Sequence, residues 1–261
     1  MASLLWLGTG FVIGSISLAG WSVAALAEPS GAVVAVVQSS NADGATGKRI
    51  LLVDGPVYSG DKIITGPFGE AQIKFRDNTR LVVGPNSTLV IDAFVFSDRT
   101  TAQKFSLNAV RGAFRFITGA SPKKAYSIRT PSATIGVRGT EFDFNVDRYT
   151  GATQLLMFGG ETRFCPTSLD PLTHKKRPCI EAKDQCGLSI IEVDEPVRKL
   201  KRSQERNILI NRFFRYAWNQ RRLLADFRLD VSSCGNINVN TFQNNPGSPP
   251  PIEPLPDPDF G

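Results

Sequence analysis

From Gly31 to Phe164, short apolar runs alternate with clusters of Gly, Pro, Asn and Asp, the rhythm of strands and turns rather than of helices. Residues 33–37 form a continuous apolar run and predict a buried strand. A second strand is predicted over 50–53, stopped by Asp54-Gly55-Pro56, and a third over 62–65, turned by Gly66-Pro67. Residues 71–75 alternate cleanly, and Arg76-Asp77-Asn78-Thr79 supplies the next turn. The scheme repeats through Leu81, Val83, Gly84-Pro85-Asn86-Ser87 and Leu89-Val90-Ile91. Short strands at this spacing predict an all-β domain built as a solenoid, roll or sandwich.

One internal echo stands out. Val110-Arg111-Gly112-Ala113-Phe114-Arg115-Phe116 recurs, with one insertion, as Val137-Arg138-Gly139-Thr140-Glu141-Phe142-Asp143-Phe144. Successive coils of a solenoid would produce such an echo, and so would chance recurrence of a turn-plus-strand pattern.

The pattern changes past Phe164. Residues 165–193 form a polar, cysteine-bounded extension with one more strand expected from Leu188 to Val193. Residues 194–231 then predict one amphipathic helix, with no Gly or Pro between Val197 and Leu229. Ile210, Phe213, Phe214, Ala217, Leu224 and Phe227 share a face at spacings of three, four and seven, and arginines occupy much of the rest. Residues 244–261 hold seven prolines in 18 residues and predict a disordered, polyproline-like tail.

Composition adds the compartment. At 261 residues with 41% apolar and 21% charged residues, the chain suits one large domain or two small ones. Residues 1–27 carry no charged side chain and end in Ala25-Leu26-Ala27, which predicts a signal peptide cleaved after Ala27. The alternative is an uncleaved membrane anchor, since the stretch is long enough to span. Either places residues 28 onward in the periplasm, at the cell surface or outside the cell. Four cysteines, Cys165, Cys179, Cys186 and Cys234, form an even set without a C-x2-C pair, and predict two disulfides with three pairings open. The net charge of +6 resides between Leu172 and Asp230, where 14 Lys/Arg face 8 Asp/Glu.

Chemistry is sparse. The glycines around Arg138 lack the lysine and following helix of a phosphate loop. Glu141 and Asp143 share a strand face at a spacing that a glycosidase pair uses, yet a half-buried strand shows the same alternation, with phenylalanines in and acids out. His174, the single histidine, sits in a lysine-flanked loop with only Asp170 as a neighbouring metal-ligand type. No enzyme, cofactor or metal is expected. The basic segment 197–229 admits peripheral contact with anionic lipid or polymer, or plain packing on the β domain; an exported chain argues against nucleic acid.

Several ordered motifs resemble a FecR domain. They are Gly60-Asp61-Lys62-Ile63-Ile64-Thr65-Gly66, Gly69-Glu70-Ala71-Gln72-Ile73-Lys74-Phe75, Asp77-Asn78-Thr79-Arg80-Leu81 and Pro85-Asn86-Ser87-Thr88-Leu89. The closing signature resembles Ile128-Arg129-Thr130-Pro131-Ser132-Ala133 followed by Val137-Arg138-Gly139-Thr140-Glu141-Phe142. The resemblance covers residues 47–146 and sets the β domain at 28–164. It implies a non-enzymatic extracytoplasmic domain, with Gly60, Asp61, Thr130, Pro131, Arg138, Gly139 and Thr140 as structural motif residues. The family's best-known members relay a signal from an outer-membrane transporter to a cytoplasmic sigma factor through a segment ahead of a membrane span. Here the apolar stretch begins almost at Met1, so the resemblance implies the domain rather than the pathway. The expected work is ligand or partner binding in envelope sensing, with an envelope protein or polymer as partner. The competing expectation is a structural envelope protein attached through its basic helix.

Overall fold

Two β-sheets meet along one long strand that belongs to both. In the computed structural model, residues 28–96, 101–200 and 204–234 are described. The expected signal or anchor (1–27) and proline-rich tail (244–261) lie outside them. The strands run β1 (Gly31–Val37), β2 (Ser40–Gly44), β3 (Gly47–Ile50), β4 (Pro56–Val57), β5 (Lys62–Thr65), β6 (Glu70–Phe75), β7 (Arg80–Val83) and β8 (Thr88–Phe96). Then come β9 (Ala102–Ile117), β10 (Tyr126–Arg129), β11 (Ala133–Val137), β12 (Glu141–Val146), β13 (Thr153–Gly159), β14 (Thr162–Pro166), β15 (Ile180–Ala182), β16 (Leu188–Ile191) and β17 (Arg198–Leu200). One helix, α1 (Gln204–Phe213), follows.

The first sheet has the order β4-β1-β6-β7-β9-β12-β13-β16-β17. The second has the order β3-β2-β5-β8-β9-β10-β11-β14-β15. The first part of β9 pairs with β8 and β10 in the second sheet, and Gly112 to Ile117 pair with β12 in the first. The crossing falls at Gly112, where φ is +107° and a Cβ would lie 2.0 Å from the Ser87 hydroxyl oxygen. Only glycine fits there. The chain returns between sheets throughout, so the domain is a two-sheet roll.

Between the sheets lies the main core. Phe114, Phe116, Phe142 and Phe144 of the first sheet face Phe105, Leu107, Ile128 and Ile135 of the second. Phe105 meets Phe116 edge-on with ring centroids 5.8 Å apart, and Phe116 lies 5.5 Å from Phe142. The sequence echo has its explanation here. β9 and β12 are antiparallel neighbours with Phe114 opposite Phe144, Arg115 opposite Asp143 and Phe116 opposite Phe142. The two similar segments are cross-strand partners rather than successive coils, which would run parallel.

Three local expectations change. In place of the strand expected over 50–53, β3 ends at Ile50, which is 71% exposed, and Leu52 (66%) and Val53 protrude in the loop that follows. β15 extends the second sheet and β16 and β17 the first, so the sheets continue past Phe164 into the cysteine-bounded extension. The helix expected across 194–231 is the ten-residue α1, preceded by β17 and followed by short 3-10 turns at Arg215–Ala217, Ala225–Phe227 and Ser232–Cys234. Leu223 and Tyr216 are buried, whereas Leu224, assigned to the apolar face by helical spacing, is 43% exposed. Over residues 214–231, short turns joined by tertiary hydrogen bonds to the first sheet take the place of a continuous helix.

Candidate functional site

The outer face of the first sheet carries a cluster of buried polar side chains, Glu70, Gln72, Arg115 and Asp143 among them. Period two puts Phe114, Phe116, Phe142 and Phe144 into the core and turns Arg115 and Asp143 outward. Outward here does not mean solvated: Arg115 is 0% exposed and Asp143 2%. The segment 204–234, hereafter the strap, lies over them. The expectation of acids on a solvent face therefore holds for Glu141, which is exposed, and fails for Asp143.

Arg115 and Asp143 form a two-pronged pair, Nε donating to Oδ1 at 2.7 Å and an Nη to Oδ2 at 3.0 Å. The guanidinium also donates to the Tyr216 carbonyl at 3.0 Å, the Phe227 carbonyl at 3.3 Å and the Gln220 side-chain carbonyl. A planar fork with five N–H groups satisfies this many acceptors at once. Burial pushes the Asp143 carboxyl above its ordinary pKa, against the pull of the adjacent guanidinium. A buried, neutralised carboxylate of this kind is a structural anchor.

Further polar clasps fix the strap. Gln72 of β6 donates to the Arg222 carbonyl at 2.9 Å and accepts from the Leu224 N–H at 2.9 Å, as a strand neighbour would. Gln220 does the same with Leu229. The Tyr216 hydroxyl donates to Glu70 at 2.8 Å; burial first, and the Glu70 charge second, push its pKa well above 10. Apolar contacts fill the gaps, with Ile210, Phe214 and Ala217 on Leu156, Phe158 and Leu188, and Tyr216, Leu223 and Phe227 on Val82. The Cys186–Cys234 disulfide closes the end of the strap, and Arg206 of α1 donates to the Cys186 carbonyl. The second disulfide, Cys165–Cys179, staples the loop between β14 and β15.

The motif residues expected from the sequence are scattered over three turns. Gly60 (φ +89°) and Asp61 form the turn into β5, where the buried Asp61 accepts from Arg49 at 3.0 Å and from the Tyr58 N–H at 2.8 Å. Thr130 and Pro131 turn β10 into β11; the Thr130 hydroxyl lies 2.6 Å from that of Thr153, and Pro131 offers its carbonyl to Thr167 at 3.0 Å. Arg138 is exposed and makes no ion pair with Glu141 among the described residues. Gly139 takes φ +76° in the turn before β12, and the Thr140 N–H donates to the Thr118 hydroxyl at 2.7 Å. His174 is an exposed loop residue whose N–H donates to the Asp170 carbonyl at 2.9 Å.

The Gly139–Glu141 turn borders an open cavity of about 440 Å³ at the end of the first sheet, lined also by Arg80, Ile117, Thr118, Gly159 and Gly160. Sequence reasoning missed Arg115, Gln72 and Tyr216 as a group. It also missed Asp77, fully buried and accepting from the Ser121 and Tyr126 hydroxyls at 2.7 and 2.8 Å. The available signal for Arg115 was its place opposite Asp143 in the echo, two opposite charges at matching positions between phenylalanines.

Residues 61–162 match the family model described as FecR protein. The chain carries a FecR domain. No curated protein matches the sequence. Two crystal structures of a "putative anti-sigma factor" from Parabacteroides distasonis ATCC 8503, at 1.65 and 2.50 Å, are similar to it at 12% identity and a TM-score of 0.40. Each alignment covers 54% of this chain and 59% of that one. The FecR match begins at the Asp61 turn and ends at the first residue of β14. It takes in both echo strands, Arg115 and Asp143. The strap and all four cysteines lie beyond it, so the FecR domain's outer face is covered by a segment from outside the matched region. Two disulfides belong to an oxidising compartment rather than to the reducing cytoplasm.

Proposed function

We propose that this protein is a non-enzymatic, extracytoplasmic FecR-domain module that binds a ligand or protein partner in cell-envelope sensing and signalling. The observation that carries this reading is the fate of the signature's ionisable groups. Asp143 is neutralised by Arg115 under the strap, and Thr130, Gly139 and Thr140 form turns. Glu141 is thereby left without a second carboxylate to work with, so the paired-acid chemistry of a glycosidase has no support. The two disulfides favour the periplasm, the cell surface or the extracellular space.

Chemical cross-linking in envelope extracts, followed by affinity capture of the disulfide-bonded protein, tests the reading. A defined envelope protein enriched over an unrelated exported control is the expected result; recovery identical to the control would remove it. The alternative, attachment to polymer or anionic lipid through residues 197–229, draws on exposed Arg212, Arg221 and Arg222. It is the weaker reading, because Ile210, Phe214 and Phe227 are packed on the first sheet instead of being available for insertion. Binding to anionic vesicles at low salt would revive it.

A further inference from the structure

The cavity at the end of the first sheet has charges of both signs and neither is neutralised. Arg80, Ile117 and Glu141 lie on neighbouring strands β7, β9 and β12 as successive partners in one row. Arg80 and Glu141 thus flank an apolar Ile117, two strand spacings or roughly 10 Å apart at the backbone. No ion pair or side-chain hydrogen bond engages either one among the described residues, unlike Arg115 and Asp143 two residues further along β9 and β12. Arg80 Nε and Thr140 Oγ1 are both buried and without a hydrogen-bond partner, and Thr140 is only 2% exposed. Buried donors left in this condition are costly, which favours a ligand that supplies acceptors. Gly139, Gly159 and Gly160 complete the wall, so a ligand meets backbone there rather than side chains, and the Glu141 carboxylate stands 3.7 Å from where a Cβ on Gly159 would be.

We propose that this cavity binds a small zwitterion, an amino acid or a short peptide, with its carboxylate on Arg80 and Thr140 and its ammonium on Glu141. Charge decides the class. A simple anion satisfying Arg80 would face the Glu141 carboxylate, and a simple cation on Glu141 would face the guanidinium. A neutral ligand would desolvate both charges without pairing either. A molecule carrying both groups pairs each with its opposite, and a carboxylate suits the planar Arg fork. The volume of about 440 Å³ is within the range of small-molecule sites, at its smaller end. The inference deepens the proposed sensing role by naming a ligand class, but it stands on the cavity alone. Failure to capture an envelope partner would leave it intact, and its own failure would leave partner binding intact.

Amide chemical-shift titration of the disulfide-bonded protein at low salt provides the test, with glycine, glycylglycine, acetate and ethylammonium as probes. Glycine or glycylglycine is expected to move the Gly139, Gly159 and Gly160 amides saturably, and each single-charge probe to bind about tenfold or more weakly. Arg80→Gln and Glu141→Gln should each weaken zwitterion binding by a similar factor while leaving the thermal melt unchanged. No saturable shift with any probe overturns the proposal. Acetate binding as tightly as glycine, or undiminished binding by Glu141→Gln, overturns it in favour of an anion site. Since both substitutions lie at the rim of the sheet, the charge-swapped double variant Arg80→Glu with Glu141→Arg adds a second check: zwitterion binding should return in part.

Discussion

On one side of β9, Phe114 and Phe116 meet other rings; on the other side, Arg115 between them meets a carboxylate, two backbone carbonyls and an amide. Both faces of the first sheet are buried, yet they are held by different physics. The inner face is apolar and non-directional, so it tolerates any neighbour of suitable shape. The outer face is polar and directional, and its partners must lie at fixed positions on one chain segment. An apolar face defines that something packs there, whereas the Arg115, Gln72 and Glu70 groups define which backbone atoms of the strap do so.

The sharpest way to break this comparison is to orphan a charge. Asp143→Ala leaves Arg115 buried without its counter-ion and should cost about 3–5 kcal/mol, read by thermal or denaturant melting. Phe116→Ala on the inner face should cost a similar amount through a cavity. The two losses differ in reversal. Arg115→Met combined with Asp143→Leu should recover part of the charge penalty. It should not restore protection of the Tyr216 and Phe227 region in hydrogen exchange, because those carbonyls lose their donor. If the double variant is as unstable as Asp143→Ala, the charge was not the origin of the loss.

Removing Cys186–Cys234 by paired alanine substitutions should cost roughly 2–4 kcal/mol and loosen the strap before the sheets. Hydrogen exchange that rises equally in β9 and in the strap would contradict this order. Tyr216→Phe deletes a hydrogen bond to a buried carboxylate and should cost about 1.5–3 kcal/mol at neutral pH. It also carries a pH signature. The folded-state pKa of Tyr216 is raised, so the unfolded chain loses its proton first, near pH 10. Wild-type stability contributed by this group is therefore complete below about pH 10 and falls above it. The deficit of the Phe variant should shrink as pH rises past about 10, and a constant deficit would remove Tyr216 as the cause. The smallest effect is at Gly139, whose φ of +76° opposes any side chain but whose surroundings are open. Gly139→Val should lower stability by about 1–2 kcal/mol through backbone strain alone, and an unchanged melting temperature would show that this turn adapts.

Much of the inner core was legible. Alternation in residues 71–75 and 141–146 placed Phe75, Phe142 and Phe144 inside, where they are. Glycine and proline clusters marked most turns. The motif order identified the FecR domain. What alternation cannot tell is whether the opposite face is wet. It separates Phe142 from Asp143 and says nothing of a covering segment some 60 to 90 residues away. The same gap explains the helix. Spacing in 197–229 gave an amphipathic pattern, but Phe214 departs from helical geometry and its neighbours' carbonyls take donors from Arg115 and Gln72. Leu223 rather than Leu224 then turns inward.

The sequence by itself determined that this is a mainly β chain with a FecR signature and an even set of cysteines, because period-two patterning, turn residues and cysteine count are local properties. Tertiary structure alone decided that Arg115 and Asp143 are buried, that the echo strands pair with each other, and that Cys186 joins Cys234. It also left Arg80 and Glu141 unpaired beside a cavity. Each of these depends on contacts between residues far apart in sequence, and the energy of a buried polar group is set by its partners rather than by its neighbours in the chain.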